Sequence, residues 1–300
     1  MGNSKQKSVE NFLIIMAIVG GFRVVFNKLS INNGFGAYAI VATQFLIGGL
    51  ILSIYLRDKI FSINKKYFIL AIFASIIFFL SFYLGTLGLV YTTPSKNAFL
   101  YQTSIVFVPF LYYFVYKQKI DKHTIIGVVI AMCGLVFLTL ENGFGNINIG
   151  DILTILAAVM VALHMTFSSF AMKKNECNPV VFTTIQMFIS GILALVLAFM
   201  NDDFSSGISL TICWPLLLGG ILIGFTFYVT SLGFKYSTPT KMSLINSLNP
   251  VSSTIAAILC LNEVITYRLF VGGGLIMAAL LVIQLKPNLS KYINRVRTEV

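Results

Sequence analysis

The chain has 300 residues, of which 57% are hydrophobic and only 10% charged, and its mean hydropathy is +0.90. No water-soluble domain of this size needs so much apolar surface. The net charge of +11 does not mark a nucleic-acid-binding protein, because the basic residues sit between apolar runs and form no single patch.

Runs of about 20 apolar residues cross a bilayer core of roughly 30 Å. Ten such runs are predicted, at about 11–30, 36–56, 67–90, 95–116, 123–140, 151–172, 179–200, 208–235, 239–261 and 266–285. The spacing predicts an all-α integral membrane protein, since barrel strands would alternate in short segments. The first run is long and lacks a small-residue cleavage site, so it reads as a retained helix. Cys133, Cys177, Cys213 and Cys260 lie far apart without a CxxC and read as small apolar side chains.

One stretch organises the rest. Phe82 to Lys96 reads FYLGTLGLVYTTPSK, and Phe227 to Lys241 reads FYVTSLGFKYSTPTK, 145 positions later without a gap. The match continues through Gly127 and Gly272, Met132 and Met277, Leu135 and Leu280, and Leu140 and Leu285. In the second and seventh runs, Gln44-Phe-Leu-Ile-Gly-Gly aligns with Gln186-Met-Phe-Ile-Ser-Gly. More faintly, placing Gly21 on Ala162 puts Phe26 on Phe167 and Arg23 on His164. Such self-similarity means a duplicated structural unit. The expected division is 1–145, 146–286 and a polar tail at 287–300.

Lys and Arg favour cytoplasmic ends. One set of ends carries sixteen of them, with Arg268 counted there; the other carries Lys28, Lys96, Lys235 and Lys241. Both termini are therefore expected in the cytoplasm of a multi-pass inner or plasma membrane protein. The same count puts Glu263 at the cytoplasmic end of the ninth run, Asp151 at the outer start of the sixth, and both Thr93-Pro94 and Thr238-Pro239 outside. These Thr-Pro pairs read as helix starts, with Thr at the N-cap and Pro at the first helical position. Pro109 and Pro250 fall inside runs and should bend them. Gly220-x-x-x-Gly224 permits a close helix contact, and Gly272-Gly273-Gly274 reads as packing. Five spans per half is an odd number, so the halves face opposite ways. Inverted repeats of this kind recur in secondary transporters, with substrate near the midplane between them.

The motifs LGLVYTTPSKNAFL (from Leu87), IIGVVIAMCGLVFL (from Ile125), IGDILTILAAVMVAL (from Ile149) and SLNPVSSTIAAILCLNEVIT (from Ser247), followed by GGGLIMAALLV, resemble the EamA type of the drug/metabolite transporter superfamily. The resemblance implies ten transmembrane helices in two inverted five-helix repeats. It also implies carriage of small organic solutes such as amino acids, amines, vitamins or nucleosides, often outward. The sequence departs from the family pattern at Gly20-Gly21, where the family has Trp-Gly, and at Gln44, where Arg is frequent.

Arg23 is the sharpest candidate for chemistry, since a charge inside a span faces a polar cavity or a partner, or else snorkels to the nearer surface. It would hold a carboxylate or phosphate. His164 can exchange a proton near neutral pH and is the candidate for proton coupling. Gln44, Gln186, Gln102, Asn246 and Asn249 are uncharged polar groups in spans, able to read a zwitterion or to bind helices together. Tyr83, Tyr101 and Tyr228 could offer ring faces to a ligand or simply pack. A central cavity is expected between the first, third, fourth, sixth, eighth and ninth spans.

These features point to a secondary transporter of a small organic solute, an amino acid or related metabolite, probed against a lipid or lipid-linked sugar flippase. An intramembrane enzyme would need a paired-aspartate, HExxH or Ser-Lys arrangement in the spans, and a scaffold would not need two pseudo-symmetric halves. No GxxxxGK[ST] occurs, so the energy would come from a gradient; no cofactor or metal is implied. The expected partners are the solute and the lipid bilayer, not nucleic acid, with the chain a monomer or homodimer.

Overall fold

A computed structural model describes residues 2–56, 65–116, 122–139, 148–175, 178–202, 210–236, 246 and 248–298. They form α1 (Gly2–Asn32), α2 (Ala37–Tyr55), α3 (Lys65–Tyr91), α4 (Pro94–Gln102), α5 (Ser104–Tyr116), α6 (Lys122–Thr139), α7 (Ile149–Asn175), α8 (Pro179–Asn201), α9 (Leu210–Tyr236), α10 (Leu248–Leu261) and α11 (Tyr267–Thr298). Seven of these, α1 to α3 and α6 to α9, are long and apolar enough to cross a membrane; Leu248–Leu261 and Tyr267–Ile283 are shorter apolar helices. The helix of α11 runs past 285, so the segment read as a polar tail is helical to Thr298.

The fourth span is interrupted, but not at Pro109. The break falls at Thr103, whose N–H and hydroxyl both donate to Leu100 C=O, at 3.1 and 2.6 Å. Val106 N–H then donates to Thr103 C=O, and α5 restarts with Pro109 inside it. This tight turn satisfies the backbone groups that a plain break would strand in hydrocarbon.

The helices pack as an inverted pair of repeats. α3 lies on α7 as α9 lies on α1; α4 and α5 lie on α7 as α10 lies on α1; α2 meets α8, and α6 meets α11. Each pairing maps onto another, or onto itself, when the halves are exchanged. The direction inverts too. α1 and α10 run parallel, from Gly20 against Asn249 to Val25 against Ala256 and Ala257, whereas α7 starts beside Lys96 and runs back against α1's direction. The α6–α11 contact carries the symmetry to single residues: Gly127 abuts Ile283, and Gly272 abuts Leu138, each partner 145 positions from its mate. A Cβ on Gly134 would lie 2.7 Å from Gly272 C=O, so these backbones touch. Small residues allow this approach, which replaces the hydrophobic drive that lipid does not supply. Gly220 and Gly224 do the same against Ile47 and Gly48 of α2, and Gly273 seats the Phe99 ring, while Gly274 meets nothing within 4 Å.

The TTPSK motif builds a knot of charges at one membrane face. Thr93 is the N-cap of α4, accepting from Lys96 N–H at 3.4 Å, with Pro94 at the first helical position. The Lys96 ammonium pairs with Asp151 at 2.8 Å, and Thr92 donates to the same carboxylate. Lys28 donates to the last carbonyls of α3, Leu89, Val90 and Thr92, where a cation suits the helix dipole. Glu263 accepts from Ser95 N–H at the start of α4. Glu263 therefore stands on the same face as Asp151, not the opposite one, and caps α4 instead of its own helix. Arg268 follows it onto this face. Lys235 lies on the other face, because α9 runs antiparallel to α1, from Asn33 against Ile212 to Leu13 against Val229. The error came from losing the alternation after the eighth span; exchanging Arg268 and Lys235 leaves the basic excess unchanged. The expectations for Thr238-Pro239 and Lys241 fall on residues outside the described ones. At the α8–α2 junction on the knot's face, Asp202 caps α2 by accepting from Ala39 N–H at 2.7 Å. Burial pushes this carboxyl above its ordinary range, against the opposing effect of that N–H.

Two stability measurements test this packing. Gly21 abuts Ser252 and the Ser253 backbone. Alanine there gains about 1 kcal/mol of helix propensity but forces α1 off α10, at roughly 1–3 kcal/mol. Gly21→Ala should melt lower in detergent and Gly274→Ala no lower than wild type; equal melting of the two would contradict the α1–α10 contact. Breaking the buried Lys96–Asp151 pair with Lys96→Met should cost about 3–5 kcal/mol, whereas Lys96→Met with Asp151→Leu should recover most of it.

Candidate solute site between the repeats

Each repeat carries one polar triad of the same design. In the first, Arg23 Nη1 donates to Gln44 Oε1 at 3.5 Å, and Gln44 Nε2 donates to Asn27 Oδ1. In the second, His164 Nε2 meets Gln186 Oε1 at 3.3 Å, and Gln186 Nε2 donates to Ser168 Oγ at 3.3 Å. Arg23 and Asn27 are four apart on α1, as His164 and Ser168 are on α7, so each pair shares one helix face. The glutamine on the next helix bridges both. Arg23 and His164 keep part of their surface accessible, while Gln44 and Gln186 are buried behind them. The donor-only guanidinium fixes which way the Gln44 amide points. Gly219 on α9 closes over this amide: a Cβ there would lie 2.6 Å from Gln44 Nε2.

Between the triads lies a cluster of phenylalanine rings. The Arg23 guanidinium sits over Phe82, 5.2 Å from its centroid. His164 stacks on Phe78 at 4.6 Å. Phe78 and Phe82 are 5.0 Å apart, and Phe227 meets them at 5.4 and 6.1 Å. Phe45 stacks on Phe78 from α2 at 4.7 Å. Phe82 and Phe227 are repeat mates, so the ring pair lies across the pseudo-twofold. Arg23 and His164 are thereby joined through aromatic faces, not through a direct bond.

The other sequence candidates distribute around this centre. Tyr101 joins it, 6.4 Å from Phe82, packed on Gly85 and within electrostatic reach of Arg23. Asn249 packs its amide against Gly20, one turn below Arg23 on α1. Gly20-Gly21, the departure from the family's Trp-Gly, is what lets α10 come this close. Gln102 is the last residue of α4, at the interruption. Asn246 is helical and part-buried, and its neighbours lie outside the described residues. Tyr83 turns away, stacked on Tyr38 at 4.2 Å near the α2 start. Tyr228 packs both toward Leu13, Met16 and Val229 and against the buried cluster that contains Phe45 and Phe78. Phe82 and Phe227, one position before these tyrosines, meet at the centre.

Sequence reasoning missed Asn27, Ser168, Phe82, Phe227 and Gly219. A signal existed for the first four. Asn27 and Ser168 share the 141-residue offset of Arg23 and His164, and Phe82 and Phe227 open the self-match. Gly219 carried none, since its role depends on α9 crossing α2. Among the described residues no group of His, Cys, Asp and Glu could hold a metal ion. Cys133, Cys213 and Cys260 are free thiols remote from the triads in sequence.

Comparison with known proteins agrees with this architecture. A solved structure, described only as the crystal structure of a protein, shares the fold with a TM-score of 0.67 at 15% identity, over 94% of this chain and 97% of that one. An uncharacterized transporter of Archaeoglobus fulgidus is 25% identical over 91% of this chain and 85% of its own length. One from Clostridium kluyveri is 27% identical over 87% and 88%. The uncharacterized transporter YetK of Bacillus subtilis is 25% identical over 90% and 84%. The model of the EamA-like transporter family matches twice, at residues 8–140 and 148–285. Two consecutive matches fill the two halves that the self-match and the packing define, and the chain belongs to the EamA-like transporter family, a multi-pass membrane transporter within the drug/metabolite transporter superfamily.

Proposed function

We propose that the protein is a secondary active transporter that moves a small organic solute, an amino acid or related metabolite, by alternating access. The observation that carries this reading is Arg23. It is a mid-span cation at the interface of inverted repeats, part-accessible, and among the described residues it is held by one amide oxygen and one ring, with no carboxylate beside it. A charge in the bilayer interior is costly unless something compensates it, and a solute carboxylate would. The aromatic cluster would carry the rest of the solute. His164, across the rings, is proposed to exchange the proton that couples transport to a gradient. Its Nε2 is tied to Gln186, leaving Nδ1 to gain or lose the proton. Outward transport fits the family resemblance, and the basic excess favours cytoplasmic termini in an inner or plasma membrane.

Liposomes containing the purified protein test the reading. With labelled amino and organic acids, wild type should show saturable, gradient-driven uptake. Arg23→Gln removes a charge-assisted contact of about 1.5–3 kcal/mol and should weaken the apparent affinity about 10- to 100-fold. His164→Gln should transport with a flat pH profile between about pH 5 and 8. If both variants keep wild-type rates and pH dependence, the proposed roles are wrong. Lipid scrambling without solute flux would favour a flippase instead. Gly219→Ala retains Arg23 but displaces the Gln44 amide that orients it, so it should raise KM several-fold while the melting temperature stays near that of wild type.

A further inference from the structure

We infer that the solute is a monocarboxylate with an apolar body and no ammonium group: an organic acid, not an amino acid. The inference rests on the transporter reading above and narrows it.

The carboxylate follows from unused donors. A guanidinium has five N–H groups in a planar fork. Among the described residues Arg23 uses one of them, on Gln44 Oε1 at the long distance of 3.5 Å, and lays its face on Phe82. The remaining edge suits two parallel bonds to one carboxylate. One fixed positive charge balances one negative charge; a second carboxylate would stand uncompensated at mid-span.

The missing ammonium partner follows from the acid inventory. The chain has ten Asp and Glu, and none lies in the middle of a span. Those whose side chains are described sit at helix ends: Asp151 with Lys96, Glu263 at the start of α4, Asp202 at the start of α2. Three amide oxygens of the two triads are engaged as well. Gln44 Oε1 takes the Arg23 bond, Asn27 Oδ1 takes the Gln44 bond, and Gln186 Oε1 faces His164. The face of Phe82, where a cation could rest, already carries Arg23. An α-ammonium two bonds from a carboxylate on Arg23 would be brought toward a like charge without an anion to offset it, which is unfavourable where water is scarce.

The apolar body follows from the part-accessible rings of Phe82 and Phe227, beside the Tyr101 ring. They offer surface, few polar groups and edges for a ring or a branched chain.

The test uses three probes that share one ring and differ only in charge: 3-phenylpropionate, phenylalanine and phenethylamine. Each is titrated against the full-length protein in detergent at pH 7, and melting temperature is read, since a ligand of the folded state raises it by mass action. 3-Phenylpropionate should stabilise wild type in a saturable way, phenylalanine at least tenfold more weakly in apparent Kd, and phenethylamine not at all. Arg23→Gln should abolish the shift while its ligand-free melting temperature stays at or above that of wild type. Arg23→Lys, which keeps the charge but loses the fork, should bind more weakly than wild type. Phenylalanine binding as tightly as the acid, with the shift lost in Arg23→Gln, overturns this inference and leaves the transporter reading intact. Stabilisation by phenethylamine that survives Arg23→Gln overturns the inference and the role of Arg23 together. Stabilisation by none of the three also overturns the inference, and the liposome flux then judges the transporter reading separately.

Discussion

Hydrocarbon offers no hydrogen bonds, so a polar group that faces it is costly unless it finds a partner within the protein. That constraint explains why Gln44 and Gln186 are where they are. Each is buried, and each spends both ends of its amide: the oxygen on the basic side chain, the nitrogen on an oxygen one helical turn farther along. The glutamine thereby fixes the side chain that reaches the accessible interior. If this is the proposed solute site, it would hold its charged group in one orientation before a solute arrives, which lowers the entropy that binding must overcome. The phenylalanine cluster serves the same end by seating the guanidinium on one ring and the imidazole on another.

The duplicated fold does the positioning. Because the halves are inverted, the first helix of one packs on the third helix of the other, and residues at matching offsets converge on the axis. Glycines set how closely the helices approach. Gly88 lies against Gly150 and Thr154, Gly134 against Gly272, and Gly21 against Ser252 and Ser253. The charge knot around Lys96 and Asp151 ties the two halves at one face, with each ion matched to a helix end or a counter-ion.

Much of this was legible in the sequence, for a physical reason. Membrane spans announce themselves by length and apolarity, and duplication repeats its packing residues at an offset that holds within each helix and shifts by a few residues between helices. Gly127 with Gly272, Gln44 with Gln186 and Arg23 with His164 were all visible that way. The meeting of Phe82 and Phe227 was not legible, because a helical self-match does not say which face turns inward; Phe82 and Tyr83 differ by about 100° around α3. The helix break at Thr103 was not legible, since a proline such as Pro109 is conspicuous in a span and a hydroxyl that closes a turn is not. Glu263 was put on the wrong face by a count of loops, and only its bond to Ser95 N–H corrects that. Gly219 had no sequence signature, because its constraint is set by a helix more than 150 residues away in the chain.

The symmetry is broken where chemistry would need it. In an inverted repeat, the two opposite-facing states arise when the halves exchange conformations, so matched residues exchange surroundings. Identical halves would make the two states equal in energy. Here the first triad ends in an arginine, a donor that keeps its charge, and the second in a histidine, which donates, accepts or takes a second proton according to pH. The Gln44 amide has one permitted orientation, whereas the Gln186 amide can turn over as the imidazole changes tautomer. Asn27 and Ser168 add to the difference, since a hydroxyl can follow that turn by rotating its proton and a side-chain amide cannot. In the proposed alternating-access cycle, a fixed charge in one half and an adjustable one in the other would give the two states unequal energies, with the inequality depending on protonation at one atom. That is the arrangement by which a ligand or a proton can bias a two-state molecule, because only a differential interaction shifts such an equilibrium.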